Sequence, residues 1–182
     1  MKVLVVGAGG IGSIVLRLMD VYALYNRFEV TVADGDAVEP KNLKYQDYSE
    51  LDVGWLKSDV MAERYGVEAL GFINEQSELE GYDYVIVAVD NNRLRRMLEP
   101  EKYTVIDARA EGKVVALFLP SSYKDSKFFT ALEGDEHVSC QRESRLKEGK
   151  VDVGNAMAAV LAVNALLSYE EGETPREVVM HI

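Results

Sequence analysis

Residues 2–6, KVLVV, form an apolar run that stops abruptly at a glycine cluster, GAGGIGS. A strand this uniformly apolar has no face for water, so it belongs inside a parallel sheet covered by helices on both sides. The residues that follow, 10–25, carry Ile11, Val15, Leu18 and Met19 at helical spacing. Strand, glycine turn and helix in that order commit the chain to a β-α unit. Gly7, Gly9 and Gly12 fit G-x-G-x-x-G, with Gly10 in the same turn. In such a turn the first glycine permits the tight bend, the second lets backbone approach a phosphate, and the third lets helix and strand pack closely. The helix then aims its free N–H groups and the positive end of its dipole at the bound anion.

The unit repeats along the chain. Residues 29–33, EVTVA, read as a second strand, and 54–65 as an amphipathic helix closed by Gly66. A weaker third strand follows at 67–73, and a strong fourth, YDYVIVAV, at 82–89. A short helix at 91–98 stops at Pro100, and strands five and six fall at 103–108 and 113–119. Alternating strands and helices predict right-handed crossovers. Beyond Pro120 the pattern changes. Residues 121–150 are polar and charged, which predicts a flap or functional loop. Residues 153–167, VGNAMAAVLAVNALL, are apolar nearly all round and predict a helix buried in the core or in a subunit interface. Residues 177–182 predict an edge strand. The expected fold is α/β and Rossmann-like: a mostly parallel twisted sheet with antiparallel C-terminal strands and helices on both faces. One domain is expected to span residues 1–182, since that length suits a single full core and is short for two.

Composition narrows the ligand. A net charge of −11 and a pI near 4.7 speak against nucleic acid, which calls for a basic face. One cysteine rules out an intramolecular disulfide and a four-cysteine zinc site. No apolar run approaches the roughly 18 residues of a membrane span. The chain enters its first strand directly, with no signal peptide, so a cytoplasmic location is expected.

The acidic residues after the second strand separate two kinds of nucleotide. Asp34 closes that strand, where an acid commonly accepts from ribose hydroxyls. A nicotinamide-binding domain needs little more. Here Asp36, Asn42, Gln46 and Lys57 extend the pattern. Asn42 is a neutral donor and acceptor suited to phosphate or ribose. Lys57 falls in the first turn of the helix expected to begin near Gly54, where a cation opposes the helix dipole unless it faces an anion. Asp90 ends the fourth strand at the carboxyl edge of the sheet. There it could hold Mg²⁺, which favours carboxylate and phosphate oxygens, or cap the next helix together with Asn91 and Asn92. The set points to ATP held for attack at its α-phosphate rather than to NAD held for hydride transfer.

These motifs resemble the ThiF/MoeB-like superfamily, which includes the ubiquitin-activating enzymes. DGDAVEPKNLKYQ is similar to that family's D-x-D-x-V-x-x-x-N-L-x-R-Q, and DVGWLKSDVMAER to its G-x-x-K helix. YDYVIVAVDNNRLRRML matches D-N-x-x-x-R-x-x-L, with Asp90, Asn91, Arg95 and Leu98 in register, and VGNAMAAVLAVNALL resembles its late alanine-rich helix. The resemblance implies adenylation: a carboxylate, usually the C-terminus of a ubiquitin-like or sulfur-carrier protein, attacks ATP·Mg²⁺ and releases pyrophosphate. It implies that Asp34 binds ribose, that Asn42 and Lys57 bind phosphates, that Asp90 holds Mg²⁺, and that the protein is a homodimer. A carboxylate nucleophile is already ionised at neutral pH, so no general base is required. Fixed cations and donors around the phosphoryl oxygens then carry most of the catalysis.

The chain departs from the family in three places. Tyr45 stands where the family has an arginine, and a phenol lacks a guanidinium's two-point grip on phosphate. The N-terminal helix that lends an arginine across family dimers is not expected ahead of the first strand, and Arg142, Arg145 or Lys147 are candidate substitutes. Paired cysteines for a structural zinc are absent. The single thiol, Cys140, lies where many family members carry a nucleophile. Arg142 and Arg145 would favour its thiolate and a thioester step, with His137 nearby. Tyr45, Tyr48 and Trp55 are candidate covers for an adenylate. Two alternatives stand beside adenylation: a catalytically impaired nucleotide-binding or scaffold subunit, and an NAD-dependent oxidoreductase.

Overall fold

The computed structural model describes residues 1–124 and 153–182. Seven strands form one sheet: β1 (Lys2–Val6), β2 (Glu29–Ala33), β3 (Glu68–Leu70), β4 (Tyr84–Val87), β5 (Thr104–Glu111), β6 (Val114–Phe118) and β7 (Val178–His181). Their spatial order is β3-β2-β1-β4-β5-β6-β7. The first five are mutually parallel, while β6 and β7 run antiparallel to their neighbours. Among the described residues, four α-helices accompany them: α1 (Gly12–Val21), α2 (Lys57–Tyr65), α3 (Asn92–Met97) and α4 (Gly154–Glu170). The expected architecture is the one observed.

Strand β1 shows why the sequence folds this way. Val3 and Val5 point into a core layer shared with residues of α1, α2 and α4. Leu4 and Val6 point into a second layer on the opposite face, with Leu94 and Leu98 at α3. Residues two apart share a face of a strand, so an unbroken apolar run supplies both layers at once. All four are essentially buried.

Several element boundaries differ from the sequence expectation, for local reasons. Helix α2 begins at Lys57, not near Gly54. Gly54 holds a left-handed φ of 92°, and Leu56 is extended and bridged to Ala37. Helix α1 ends at Val21, and residues Leu24–Asn26 form a separate 3-10 turn, because Ala23 takes a positive φ of 54° between them. Strand β5 runs on to Glu111, past the end of its pairing with β4, because β6 continues the ladder from the other side. Helix α4 buries Ala158, Ala159, Ala162 and Leu166 but leaves Met157 and Val160 exposed, as is Val153 just before its first turn. It is thus a core helix with one open apolar stripe. The expected flap falls mostly on residues outside those described; its first part, Ser122–Lys124, is a 3-10 turn. There the carboxylate of Glu177 accepts from the backbone N–H groups of Leu119 and Ser122 and from the hydroxyls of Ser121 and Ser122.

Candidate active site

The strand order reverses between β1 and β4. The chain leaves β1 toward β2 on one side and returns to β4 on the other, which opens a crevice at the carboxyl ends of the strands. A cavity of about 500 Å³ occupies it. The glycine turn and the end of β2 line one wall; the end of β4 and the start of α3 line the other.

The glycines have distinct tasks. Gly7 has a φ of 93°, and a Cβ there would lie 2.7 Å from the Ala88 carbonyl oxygen. A Cβ on Gly12 would lie 1.7 Å from the Gly7 carbonyl oxygen, so the start of α1 packs directly on the turn. A Cβ on Gly9 would meet nothing within 4 Å, because Gly9 faces the cavity. The turn is fixed from both sides at Ala8. Its N–H donates to Asp34 Oδ2 at 2.7 Å, and its carbonyl accepts from the Tyr48 hydroxyl at 2.7 Å. Burial pushes the Tyr48 hydroxyl well above its usual range, so it stays protonated and donating.

Asp34 also accepts the N–H of Asp36 at 2.9 Å, so both its oxygens have a partner within the chain. Burial raises its carboxyl above the ordinary value, with Lys57 and these two N–H groups pulling the other way. Lys57 is the first residue of α2 and is buried. Its Nζ donates to Asp36 Oδ2 at 3.1 Å, and its own N–H donates to the Asp36 carbonyl at 2.9 Å. The anion that makes a lysine tolerable at this helix start is therefore the exposed Asp36 carboxylate. Asn42 is buried, and its Oδ1 accepts the Glu39 N–H at 2.8 Å. That bond leaves the amide NH₂ as the group that can donate into the cavity.

On the far wall, Asn91 caps α3 by accepting the Arg93 N–H at 2.7 Å. The cap is thus Asn91, and Asp90 lies exposed on the cavity rim ahead of it. Behind Asp90 is a buried charge network. Arg95 donates through Nε and Nη2 to Asp107, with the closest contact at 3.0 Å, and through Nη2 to the Val89 carbonyl at 2.6 Å. Arg109 and the Tyr123 hydroxyl also donate to Asp107, at 2.5 and 2.7 Å. Burial would raise the Asp107 carboxyl, but Arg95 and Arg109 overcome this and hold it below the ordinary carboxylate value.

Residues 1–179 match the ThiF family. The chain belongs to the ThiF family. Its fold is also that of solved structures at low identity. E. coli MccB, solved with ATP, superposes with a TM-score of 0.63 at 20% identity, over 100% of this chain and 61% of MccB. The microcin C7 biosynthetic enzyme MccB, in complex with N-formylated MccA, gives 0.67 at 20% identity over 61% of its length. PaaA gives 0.68 at 16% identity over 60% of its length. This ThiF-family chain therefore spans about three fifths of each of these proteins. Among curated proteins, none matches it in sequence.

The ThiF-family fold gathers Gly7, Gly9, Gly10, Asp34, Asp36, Asn42, Lys57 and Asp90 around one cavity, with Tyr45 and Gln46 beside them. Gly12 lies beneath the turn and does not line the cavity. Tyr48 clamps the turn instead of covering a ligand, and Trp55 is exposed away from the cavity. Cys140, His137, Arg142, Arg145 and Lys147 lie outside the described residues. Sequence reasoning missed two cations on the cavity wall, Lys41 and Arg93. Arg93 sits in the first turn of α3, against that helix's dipole, and among the described residues its guanidinium enters no ion pair. The argument applied to Lys57 would have found it. Among the described residues, no cluster of three His, Cys, Asp or Glu side chains could by itself hold a metal. No helix among them is long and apolar enough to cross a membrane.

Proposed function

We propose that this chain binds ATP in the cavity and joins its AMP to a carboxylate. The observation that carries this is the convergence of Lys57, Asn42, Arg93 and Asp90 on the rim of a glycine turn at the sheet's reversal point. A cavity of about 500 Å³ is also the size of an ordinary small-molecule site. Asp34 and Asp36 receive the ribose, and the glycine turn and the α1 N-terminus receive the phosphates. A carboxylate oxygen attacks the α-phosphorus, the bond to the β-phosphate oxygen breaks, and pyrophosphate leaves with the electron pair. Lys57 and the Asn42 amide stabilise charge that grows on the phosphoryl oxygens. Arg93 supplies the guanidinium that Tyr45 lacks. Asp90 is a single carboxylate beside the proposed phosphate position. That donor set fits Mg²⁺, a hard ion that takes one or two carboxylates plus phosphate oxygens. Bound there, Mg²⁺ would neutralise charge on those oxygens.

The acyl substrate we propose is the C-terminal carboxylate of a ubiquitin-like or sulfur-carrier protein, or of a peptide, in the cytoplasm. Solved MccB carries AMPCPP and MccA together, which supports a nucleotide and a second substrate held together here. Transfer of the acyl group to the Cys140 thiolate, with AMP as leaving group, is the proposed second step. A homodimer through the open stripe Val153, Met157 and Val160 is part of the same proposal. Sedimentation equilibrium should give twice the 20.3 kDa of one chain, and a monomer at micromolar concentration would remove the dimer. The second reading is an impaired nucleotide-binding subunit, favoured by Tyr45 on the cavity wall; carboxylate-dependent exchange of pyrophosphate into ATP decides against it, and ATP binding without exchange decides for it.

The glycines offer a test that separates ligand from fold. In Gly9→Ala the new methyl has room in the free protein, so the melting temperature should hold within about 2–4 °C. ATP affinity should fall at least about tenfold, because the methyl stands where phosphate approaches backbone. Gly12→Ala should fail to fold stably, since its methyl overlaps the Gly7 carbonyl. Thermal melts and an ATP titration of both variants check this. Unchanged ATP affinity in Gly9→Ala would place the phosphates elsewhere.

A further inference from the structure

Two hydroxyls that lie outside the cavity grip the glycine turn. Tyr48 is 8% exposed, does not line the cavity, and donates to the Ala8 carbonyl at 2.7 Å. Ser13 is fully buried, does not line the cavity either, and donates through Oγ to the Gly9 carbonyl at 2.7 Å. The Ser13 Oγ also accepts the Asp47 N–H at 3.2 Å, so both grips tie the turn to the same stretch, residues 47–48. Asp47 is braced in turn, since its carboxylate meets Arg17, Arg64 and the Tyr65 hydroxyl.

The two gripped carbonyls belong to successive peptides, Ala8–Gly9 and Gly9–Gly10. Both peptides are trans. A trans peptide is planar, so its C=O and N–H point in opposite directions. Where a buried hydroxyl ties down the carbonyl, the N–H of the next residue is turned the other way. Gly9 and Gly10 line the cavity, and neither N–H has a hydrogen-bond partner among the described residues. The Ala8 N–H differs, being spent on Asp34. The turn thus keeps two adjacent donors for a ligand, and two hydroxyls set their direction. A phenylalanine would fill the space of Tyr48 without this effect. We propose that Tyr48 and Ser13 are positioning residues for the phosphates: the Tyr48 hydroxyl aims the Gly9 N–H and the Ser13 hydroxyl aims the Gly10 N–H. Successive backbone N–H groups fixed in one direction form a concavity for an anion, and donors already in place need no reordering when it binds. This rests on the ATP site proposed above and names side chains outside the cavity that set its phosphate affinity.

The test follows the Gly9 and Gly10 signals in ¹⁵N–¹H spectra of the full chain as AMPCPP·Mg²⁺ is added to wild type, Tyr48→Phe and Ser13→Ala. In wild type both signals should move. Tyr48→Phe should lose most of the Gly9 movement and keep that of Gly10, and Ser13→Ala should do the reverse. AMPCPP affinity should fall about tenfold in each variant, the order expected for one hydrogen bond to a charged group. Adenosine has no phosphates and should bind all three proteins equally. A general loosening of the site would weaken adenosine and AMPCPP together, and that result would overturn the proposal. So would Gly9 and Gly10 signals that AMPCPP leaves unmoved in wild type. Wild-type AMPCPP affinity in either variant would overturn the role of that hydroxyl. Tyr48→Phe keeps its ring in the core and should melt no more than about 2–8 °C lower; should it fail to fold, Ser13→Ala and the Gly10 signal decide alone. If AMPCPP fails to bind wild type at all, the ATP site itself falls, and this is seen before either variant is compared.

Discussion

Lys57→Ala should abolish adenylation while leaving the fold intact. The Nζ is held by one contact, to Asp36, whose side chain is 76% exposed. Removing the lysine leaves Asp36 solvated, but Lys57 is itself buried and also offsets the burial of Asp34, so the variant should still fold with a melting temperature lower by about 2–8 °C. Chemistry should suffer far more. A fixed cation or donor aimed at developing charge typically carries a factor of about 10²–10³ in rate. Carboxylate-dependent release of pyrophosphate from ATP should fall by that factor, with ATP binding reduced less. A loss below about tenfold in a normally folded variant would mean that Lys57 serves only to hold Asp36.

Arg95→Ala should do the opposite and act mainly on stability. Asp107 is fully buried, and Arg95 is its largest source of compensation. Breaking a buried ion pair from one side costs about 3–5 kcal/mol, because the remaining charge is stranded. For a chain of this size that is a fall of roughly 6–20 °C in melting temperature. The same change removes the bond to the Val89 carbonyl, so Asp90 loses its support. The pH dependence follows from the direction of the Asp107 shift. Its folded value lies below the unfolded one, so the network's contribution is present above pH 3.8 and is lost as pH falls further. In Arg95→Ala the carboxyl is held down less, so this acid-linked loss shrinks, and the gap in melting temperature between wild type and variant should narrow as pH falls toward 3. Melts from pH 3 to 7 test both points. A change under about 2 °C at pH 7 would mean that Arg109 and Tyr123 alone compensate Asp107.

The fold was legible because its signals are local. Five apolar strands, their glycine and proline stops and the helical spacing between them leave few alternatives to a parallel sheet with an antiparallel end. The gathering of Asp34, Asn42, Lys57 and Asp90 was legible for a related reason. Asp34 and Asp90 sit just past strands' carboxyl ends and Lys57 at a helix start, and topology brings those ends together, with Asn42 on the 3-10 turn between β2 and α2. What the sequence hides is non-local. Nothing near Asp107 announces its pairing with Arg95 twelve residues earlier and Tyr123 sixteen later. Tyr48 reads as a ligand cover until its hydroxyl is found on Ala8, forty residues away. Asn155 and Asn164 read alike as polar residues in an apolar helix, and the orphaned amide of Asn155 appears only when α4 is packed on the glycine turn.

The most direct test of the proposed ATP site is thermal unfolding with ATP·Mg²⁺, with NAD and with neither, in wild type and Asp90→Ala. A ligand that binds only the folded state adds about 2.7 kcal/mol at a hundredfold excess over its dissociation constant, which is roughly 5–10 °C here. ATP·Mg²⁺ should raise the wild-type melting temperature by about that amount, less in Asp90→Ala, and NAD should not. A shift with NAD and none with ATP·Mg²⁺ would contradict the adenylation site and make the cavity a dinucleotide pocket.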